Sequence, residues 1–187
     1  MGSSGTLLGA GLVALATLGC AGTRSEPASG EPSVEAEGTR AFSLEPQRVG
    51  TAADGLSLRS IRHAAHDGFY RLVFDIAMAE GKLATTIPAT AATYRERDRS
   101  IELTIAGIRH DLTGNLPLQS EAGDSLGKPV TVNRPPVSHF ARELSLDDSL
   151  VAYRIQLTRE ARFRLQGLDQ PARIVLDVEE TGGARPQ

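Results

Sequence analysis

Tryptophan is absent from the 187-residue chain, and aromatic residues make up only 4% of it. Proteins that bind carbohydrate or single-stranded nucleic acid through a row of stacking rings need more exposed aromatic side chains than this composition offers. The chain also lacks a basic surplus, because its formal net charge is −3 and its sequence pI is about 5.8. Nucleic-acid-binding domains typically carry a strongly basic patch. We therefore expect no nucleic-acid partner.

Cysteine occurs once, at position 20, which excludes an intramolecular disulfide and a cysteine-rich zinc site. Of the four histidines, His63 and His66 are three positions apart, a spacing that puts them on opposite faces of a strand. The chain has no phosphate-binding loop, dinucleotide fingerprint or G-x-S-x-G nucleophile motif. We expect a non-catalytic protein without metal or cofactor. An acid–base pair assembled from distant strands is the alternative that this pattern leaves open.

The first 20 residues have the pattern of a secretion signal. The apolar run over residues 7–18 is uncharged; about 12 residues are too few to span a bilayer core of roughly 30 Å but suit a signal peptide. Gly19-Cys20 follows and resembles the lipobox of bacterial lipoproteins. The resemblance implies that residues 1–19 are removed and that acylation of Cys20 anchors the protein to a membrane. The alternatives are an ordinary cleaved signal and an uncleaved buried helix with a structural cysteine.

The composition changes after Cys20. Residues 20–54 are rich in Pro, Gly, Ser and Glu and poor in large apolar side chains. Such a segment cannot bury enough surface to offset the entropy of ordering it. We expect a lipidated flexible linker over 20–54, a folded domain over 55–180 and a disordered tail over 181–187. The linker would hold the domain away from a membrane surface, and an N-terminal segment without a spacing role is the alternative.

Short alternating patterns fill the rest of the chain. Over residues 69–76 the even-numbered positions are apolar and share one face, which predicts a half-buried strand. Residues 140–150 also fit a short helix. An extended segment is expected over 82–94, with Pro88 indicating a sheet edge or a bulge. Many short strands at close spacing indicate an all-β sandwich or barrel. The other predicted strands cover 56–61, 101–105, 130–132, 137–146, 150–158, 161–167 and 172–179.

Two of these strands share the motif Arg-x-Val-x-Asp, in which x is apolar, at residues 71–75 and 173–177. If the strands are antiparallel neighbours, one register places Arg71 opposite Asp177 and Asp75 opposite Arg173. These four side chains lie on the face opposite the larger apolar residues, and we take them as candidate ligand-binding residues. The alternatives are strands with unrelated neighbours and ion pairs with a purely structural role.

Three segments resemble the AMIN-like branch of the AMIN domain family, which occurs in bacterial envelope lipoproteins. They are residues 66–75 (HDGFYRLVFD), 150–155 (LVAYRI) and 171–178 (PARIVLDV). The resemblance covers roughly residues 55–180 and implies a β-sandwich of two small sheets. AMIN modules accompany cell-wall amidases and outer-membrane secretins and bind peptidoglycan or localise their partner to it. The resemblance therefore implies a non-catalytic module at the cell envelope, with peptidoglycan as its partner.

The residue after Cys20 bears on location. Ala21 stands where some lipoproteins have the aspartate that retains them at the inner membrane, so the lipobox resemblance favours the outer membrane where the cell has one. The alternative function is that of a scaffold for another envelope protein. In that case a partner strand would add to the sheet edge expected over residues 82–94.

Overall fold

A computed structural model describes residues 40–78, 80–114 and 129–180. This part of the chain is all-β, with eleven strands and no helix. None of the described segments therefore has the long apolar helix that a bilayer crossing requires. The predicted signal peptide (1–19), the lipidation site Cys20, the first part of the linker and the tail (181–187) lie outside the described residues.

The strands form two sheets that pack face to face, which confirms the predicted β-sandwich. The six-stranded sheet has the order β1-β4-β5-β9-β8-β7, and the five-stranded sheet has the order β10-β11-β3-β2-β6. Neighbours are antiparallel except for β2 and β6, which are parallel. The strands are Gln47–Val49 (β1), Leu56–His66 (β2), Phe69–Met78 (β3), Thr90–Arg95 (β4), Ser100–Ala106 (β5), Ile108–Asp111 (β6), Val130–Arg134 (β7), Val137–Glu143 (β8), Leu150–Leu157 (β9), Phe163–Leu168 (β10) and Arg173–Glu179 (β11).

The core lies between the two sheets and is built by alternation along their central strands. Even-numbered residues 70–76 of β3 are buried, as the period-two pattern predicts. Alternate residues of β5 and β9 are buried in the same way, whereas residues 174–178 of β11 are all buried. The rings of Phe74 and Tyr153 meet across the sandwich, edge to face, with their centroids 5.4 Å apart. Ring pairs in this orientation are stabilised beyond the area they bury.

The register between β3 and β11 is the one that the repeated motif predicts. The two strands are antiparallel neighbours, with Arg71 opposite Asp177 and Asp75 opposite Arg173. The alternative of unrelated neighbours is therefore wrong. A shift of one residue would turn the apolar side chains of either strand away from the core, so burial fixes this register strongly.

The predicted linker boundary is wrong, because the sandwich includes residues well before 55. Ser43 pairs with Phe163 at the edge of β10, and β1 pairs with β4. The side-chain amide of Gln47 continues the edge of β10: its Nε2 donates to Phe163 O at 2.8 Å, and its Oε1 accepts from Leu165 N at 2.9 Å. These contacts are distant in sequence, so the composition of the segment does not reveal them.

Two further expectations need correction. Over residues 82–94 only the end forms a strand, β4, and β1 pairs with it from Thr90 to Ala92. The edge expected there is therefore covered along half of β4. The short helix considered over residues 140–150 does not form, since β8 continues to Glu143 and β9 begins at Leu150. Strand β6 was not expected, because its four residues, Ile-Arg-His-Asp, show no alternating pattern.

The start of β2 approaches the start of β6 so closely that only glycine fits between them. Leu56 N donates to Gly107 O at 3.0 Å. Gly107 has a φ of 76°, and a Cβ added there would lie 1.9 Å from the carbonyl oxygen of Ala53. Gly55 has a similar φ of 71°, but a Cβ added there would meet nothing within 4 Å. An alanine at either position would strain the backbone, but only an alanine at Gly107 would also clash with a neighbouring carbonyl. Comparing the two substitutions therefore separates the free-energy cost of strain from that of the clash.

We expect Gly107→Ala to lower the free energy of unfolding by on the order of 3 kcal/mol, because it adds a backbone clash to the left-handed strain. The matched control Gly55→Ala is expected to lose only about 1 kcal/mol, from strain alone. Urea denaturation followed by far-UV circular dichroism measures both. Equal losses for the two variants would contradict the close approach at Gly107.

Candidate functional site

A β-bulge in β2 creates the most distinctive surface of the five-stranded sheet. Leu56 and Leu58 are buried in the core, and strict alternation would bury residues 60 and 62 as well. The ladder with β3 instead steps from Leu58–Ile76 to Ser60–Asp75, so Arg59 is an extra residue. The bulge shifts the alternation by one position. Ser60 and Arg62 consequently lie on the outer face of the sheet beside Asp75.

Asp75 is held by both of these side chains. Ser60 Oγ donates to Asp75 Oδ2 at 2.7 Å. Arg62 donates through Nε to Oδ2 and through Nη2 to Oδ1, each at 2.7 Å, in a bidentate ion pair. The hydrogen bonds from Arg62 hold the pKa of Asp75 below its usual value, and the Ser60 hydrogen bond acts in the same direction. Asp75 is thus an ionised, positioned carboxylate with both oxygens engaged.

A shallow, open cavity of about 470 Å³ lies against this cluster. One side of it is polar and the other is apolar. Leu83 on the apolar side keeps 64% of its surface exposed. Arg59, the bulge residue, lines the polar side and makes no hydrogen bond or ion pair with any described residue. The lining residues are Arg59, Ser60, Arg62 and Asp75 on the polar side and Ile76, Leu83, Pro171 and Ala172 on the apolar side.

Arg173 adds a third guanidinium at the border of the cavity. It stands opposite Asp75 in the ladder, and its charge also favours the ionised form of that carboxylate. Its Nε donates to Pro171 O at 3.3 Å, and no carboxylate of the described residues forms an ion pair with it. Three arginines and one aspartate give the site a local charge of +2, although the whole chain carries −3. We call the cavity together with Arg173 the arginine pocket.

The other two predicted binding residues form a structural ion cluster instead. Asp177 has no exposed surface and accepts from Arg71 at 2.6 and 2.9 Å and from Arg164 at 2.8 Å. The Arg71 guanidinium lies over the ring of Phe69, 5.0 Å from its centroid, and that of Arg164 lies 4.7 Å from the centroid of Phe42. The four candidates are therefore divided: Asp75 and Arg173 belong to the arginine pocket, whereas Arg71 and Asp177 hold the sheet together.

A second buried polar cluster joins the two sheets. Tyr153 Oη in β9 donates to Asp111 Oδ2 in β6 at 3.0 Å, and Arg142 in β8 lies 3.1 Å from the same oxygen. Burial is the main reason that the pKa of Tyr153 is raised far above its usual value. A tyrosine held protonated between two strands acts as a hydrogen-bond donor that closes the sandwich. It is poorly suited to proton transfer near neutral pH.

The described residues offer no metal centre, since no three His, Cys, Asp or Glu side chains among them converge. His63 instead bonds through Nδ1 to Tyr70 Oη at 2.6 Å. His66 stacks on Phe69, with ring centroids 5.0 Å apart and an interplanar angle of 11°. Each histidine side chain thus contacts an aromatic residue of β3.

The candidate ligand-binding residues predicted from the sequence do not include Arg59, Ser60 or Arg62. The signal was present in the apolar spacing of β2, which runs Leu56, Leu58, Ile61. A step of three within a period-two pattern indicates an extra residue, and bulges frequently occur next to binding sites.

We expect Asp177→Asn to lower the free energy of unfolding by about 3–5 kcal/mol, because Arg71 and Arg164 lose the carboxylate that they share in a buried setting. Glu80→Gln is the control, since Glu80 and its partner Lys82 are both at least 75% exposed and such pairs contribute little. Urea unfolding at pH 7 measures both variants. An Asp177→Asn protein as stable as the control would show that the ion cluster does not hold the sheet.

Comparison of the chain with family models, with curated proteins and with solved structures finds no match in any of the three. The resemblance to AMIN-like domains stays a prediction from the three segments that carry it.

Proposed function

We propose that the protein is a non-catalytic module of the bacterial cell envelope, anchored by lipid at Cys20, that binds peptidoglycan through the arginine pocket. One observation carries the proposal: no described carboxylate forms an ion pair with Arg59 or Arg173 of the pocket. Free guanidinium groups bind carboxylates in bidentate fashion. Peptidoglycan carries free carboxylates along its peptide stems, so its chemistry complements the pocket.

The groups in the pocket favour binding over catalysis. A guanidinium stays protonated at any physiological pH and cannot act as a general base. The Asp75 carboxylate has a lowered pKa and is already engaged by Ser60 and Arg62. A carboxylate in this state is a weak proton acceptor, because efficient general bases have a pKa near the working pH. The pocket is therefore better suited to hold an anion than to transform it.

A shallow pocket of this kind predicts weak binding to a single ligand. Exposed ion pairs contribute about 0–1 kcal/mol each, so two of them do not give tight binding by themselves. A membrane anchor would offset this low affinity, because a tethered protein meets a repetitive polymer at a high effective concentration. The predicted linker is shorter than its composition indicated, since the sandwich already includes Arg40. About 20 residues of such a sequence have a mean reach of about 25 Å.

The pocket is tested by sedimentation of purified sacculi with the full-length mature protein in mild detergent. We expect the double variant Arg59→Gln/Arg173→Gln to bind at least about tenfold more weakly, which corresponds to about 1.4 kcal/mol. The control Arg48→Gln/Arg97→Gln removes the same charge from two exposed arginines that do not line the pocket. Wild-type protein that stays in the supernatant would refute peptidoglycan binding. If both double variants lost the same affinity for sacculi, binding would depend on the overall charge of the protein and not on the pocket.

The anchor is tested separately. We expect the mature protein to fractionate with membranes and its N-terminal peptide to begin at Cys20 with attached acyl chains. Cys20→Ser should remove the modification, because the thiol is the nucleophile that accepts the lipid. Mass spectrometry of the N-terminal peptide, with membrane fractionation, measures both. An unmodified Cys20 in the mature wild-type protein would rule out lipidation.

A further inference from the structure

The arginine pocket has hydrogen-bond donors to offer and few free acceptors. Both oxygens of Asp75 already accept hydrogen bonds, and the Ser60 hydroxyl donates its proton to Asp75. The donors left for a ligand are the guanidinium of Arg59, the remaining N–H groups of Arg173 and Nη1 of Arg62. A sugar hydroxyl donates as well as accepts, and the pocket offers more donors than free acceptors. A carboxylate only accepts, so it fits this set of donors.

The apolar side of the pocket restricts what is attached to that carboxylate. Ile76, Leu83, Pro171 and Ala172 provide no charge to meet a second ionic group. Leu83 is held in place, because it forms a bridge with Ala77 and because Met78 N donates to Lys82 O at 2.8 Å. Its exposed surface would be covered by a small aliphatic side chain next to the bound carboxylate. The cavity volume of about 470 Å³ suits a group of one or two residues.

A phosphate is a poorer fit than a carboxylate. The net positive charge of the pocket attracts both anions, so charge alone does not distinguish a phosphate from a carboxylate. The apolar side would leave part of a phosphate without hydrogen-bond donors.

From these three features we infer that the arginine pocket recognises the free carboxylate end of a short peptide with small aliphatic side chains, and not the glycan. The inference rests on the proposed function and names the part of the polymer that is bound. Arg59 and Arg173 hold the terminal carboxylate, Arg62 and Ser60 keep Asp75 in place, and Leu83 covers the adjoining side chain. The pocket would then be specific for a ligand that has a carboxylate next to a small apolar side chain.

The test is a titration of the full-length protein, followed by NMR, with four probes. They are N-acetyl-alanyl-alanine in both enantiomeric forms, its C-terminal amide, N-acetylmuramic acid and an N-acetylglucosamine tetramer. We expect the free acid of at least one enantiomer to bind, the amide to bind at least tenfold more weakly, and the tetramer not to bind. The same free acid should release the protein from sacculi.

Variants test the two sides of the pocket. Arg59→Gln and Leu83→Ser should each weaken binding of the free acid at least fivefold. Leu112→Ser is the matched control, since Leu112 is 62% exposed, close to the 64% of Leu83, but does not line the pocket. It should leave binding unchanged. A Leu83→Ser variant that binds as well as Leu112→Ser would overturn the role of the apolar side.

The outcomes separate the inference from the proposed function. Binding to sacculi that the tetramer competes away, but the free acid does not, would overturn the inference and leave the proposed function standing. Equal affinity for N-acetylmuramic acid and the dipeptide acid would show that the pocket reads a carboxylate without its peptide, which also overturns the inference. Absence of sacculus binding together with tight binding of the free acid would refute the proposed function alone.

Discussion

The pairing of β3 with β11 is the constraint on which the rest of the molecule depends. These two strands lie near the middle of the five-stranded sheet, with β10 on one side and β2 on the other. Their register brings Arg71 to Asp177, and Asp177 also binds Arg164 of β10. One buried carboxylate therefore links three consecutive strands. The same register brings Arg173 to the border of the pocket beside Asp75, so the site exists only where the pairing is correct.

The two aspartates of the repeated motif show how position decides the role of a residue. Asp177 is fully buried between two arginines, and such a charge is stable only with partners present. Asp75 keeps 21% of its side chain exposed near the end of its strand, where a cavity opens. The sequence around each is nearly the same. Neighbouring strands, and not the motif itself, make one aspartate structural and place the other in the candidate site.

The alternating pattern of apolar residues predicted the strands and their buried faces, which depend on residues close in sequence. Alternation along β3 was enough to place its core face, and the repeated motif predicted its register with β11 on the condition that the two strands are antiparallel neighbours. The bulge at Arg59 was marked by the irregular spacing after Leu58, but the cavity also needs Pro171 and Leu83, which are far apart in the chain. Strand β1 could not be predicted, because the contacts of Gln47 with β10 come from more than 110 residues away. Composition describes what a segment can bury by itself, whereas these contacts depend on a partner surface that only the folded chain provides.

The segment that leads into the sandwich is attached to both sheets at once. Ser43 pairs with Phe163 in the five-stranded sheet, and four residues further on β1 begins to follow β4 in the six-stranded sheet over only three residue pairs. A chain pulled from its N-terminus would load these few contacts before any strand of the core. Tension would first break the pairing of Ser43 with Phe163 and of β1 with β4, while β3, β11 and the cavity beside them stayed folded. The contacts of this segment would thus limit the tension that reaches the core strands.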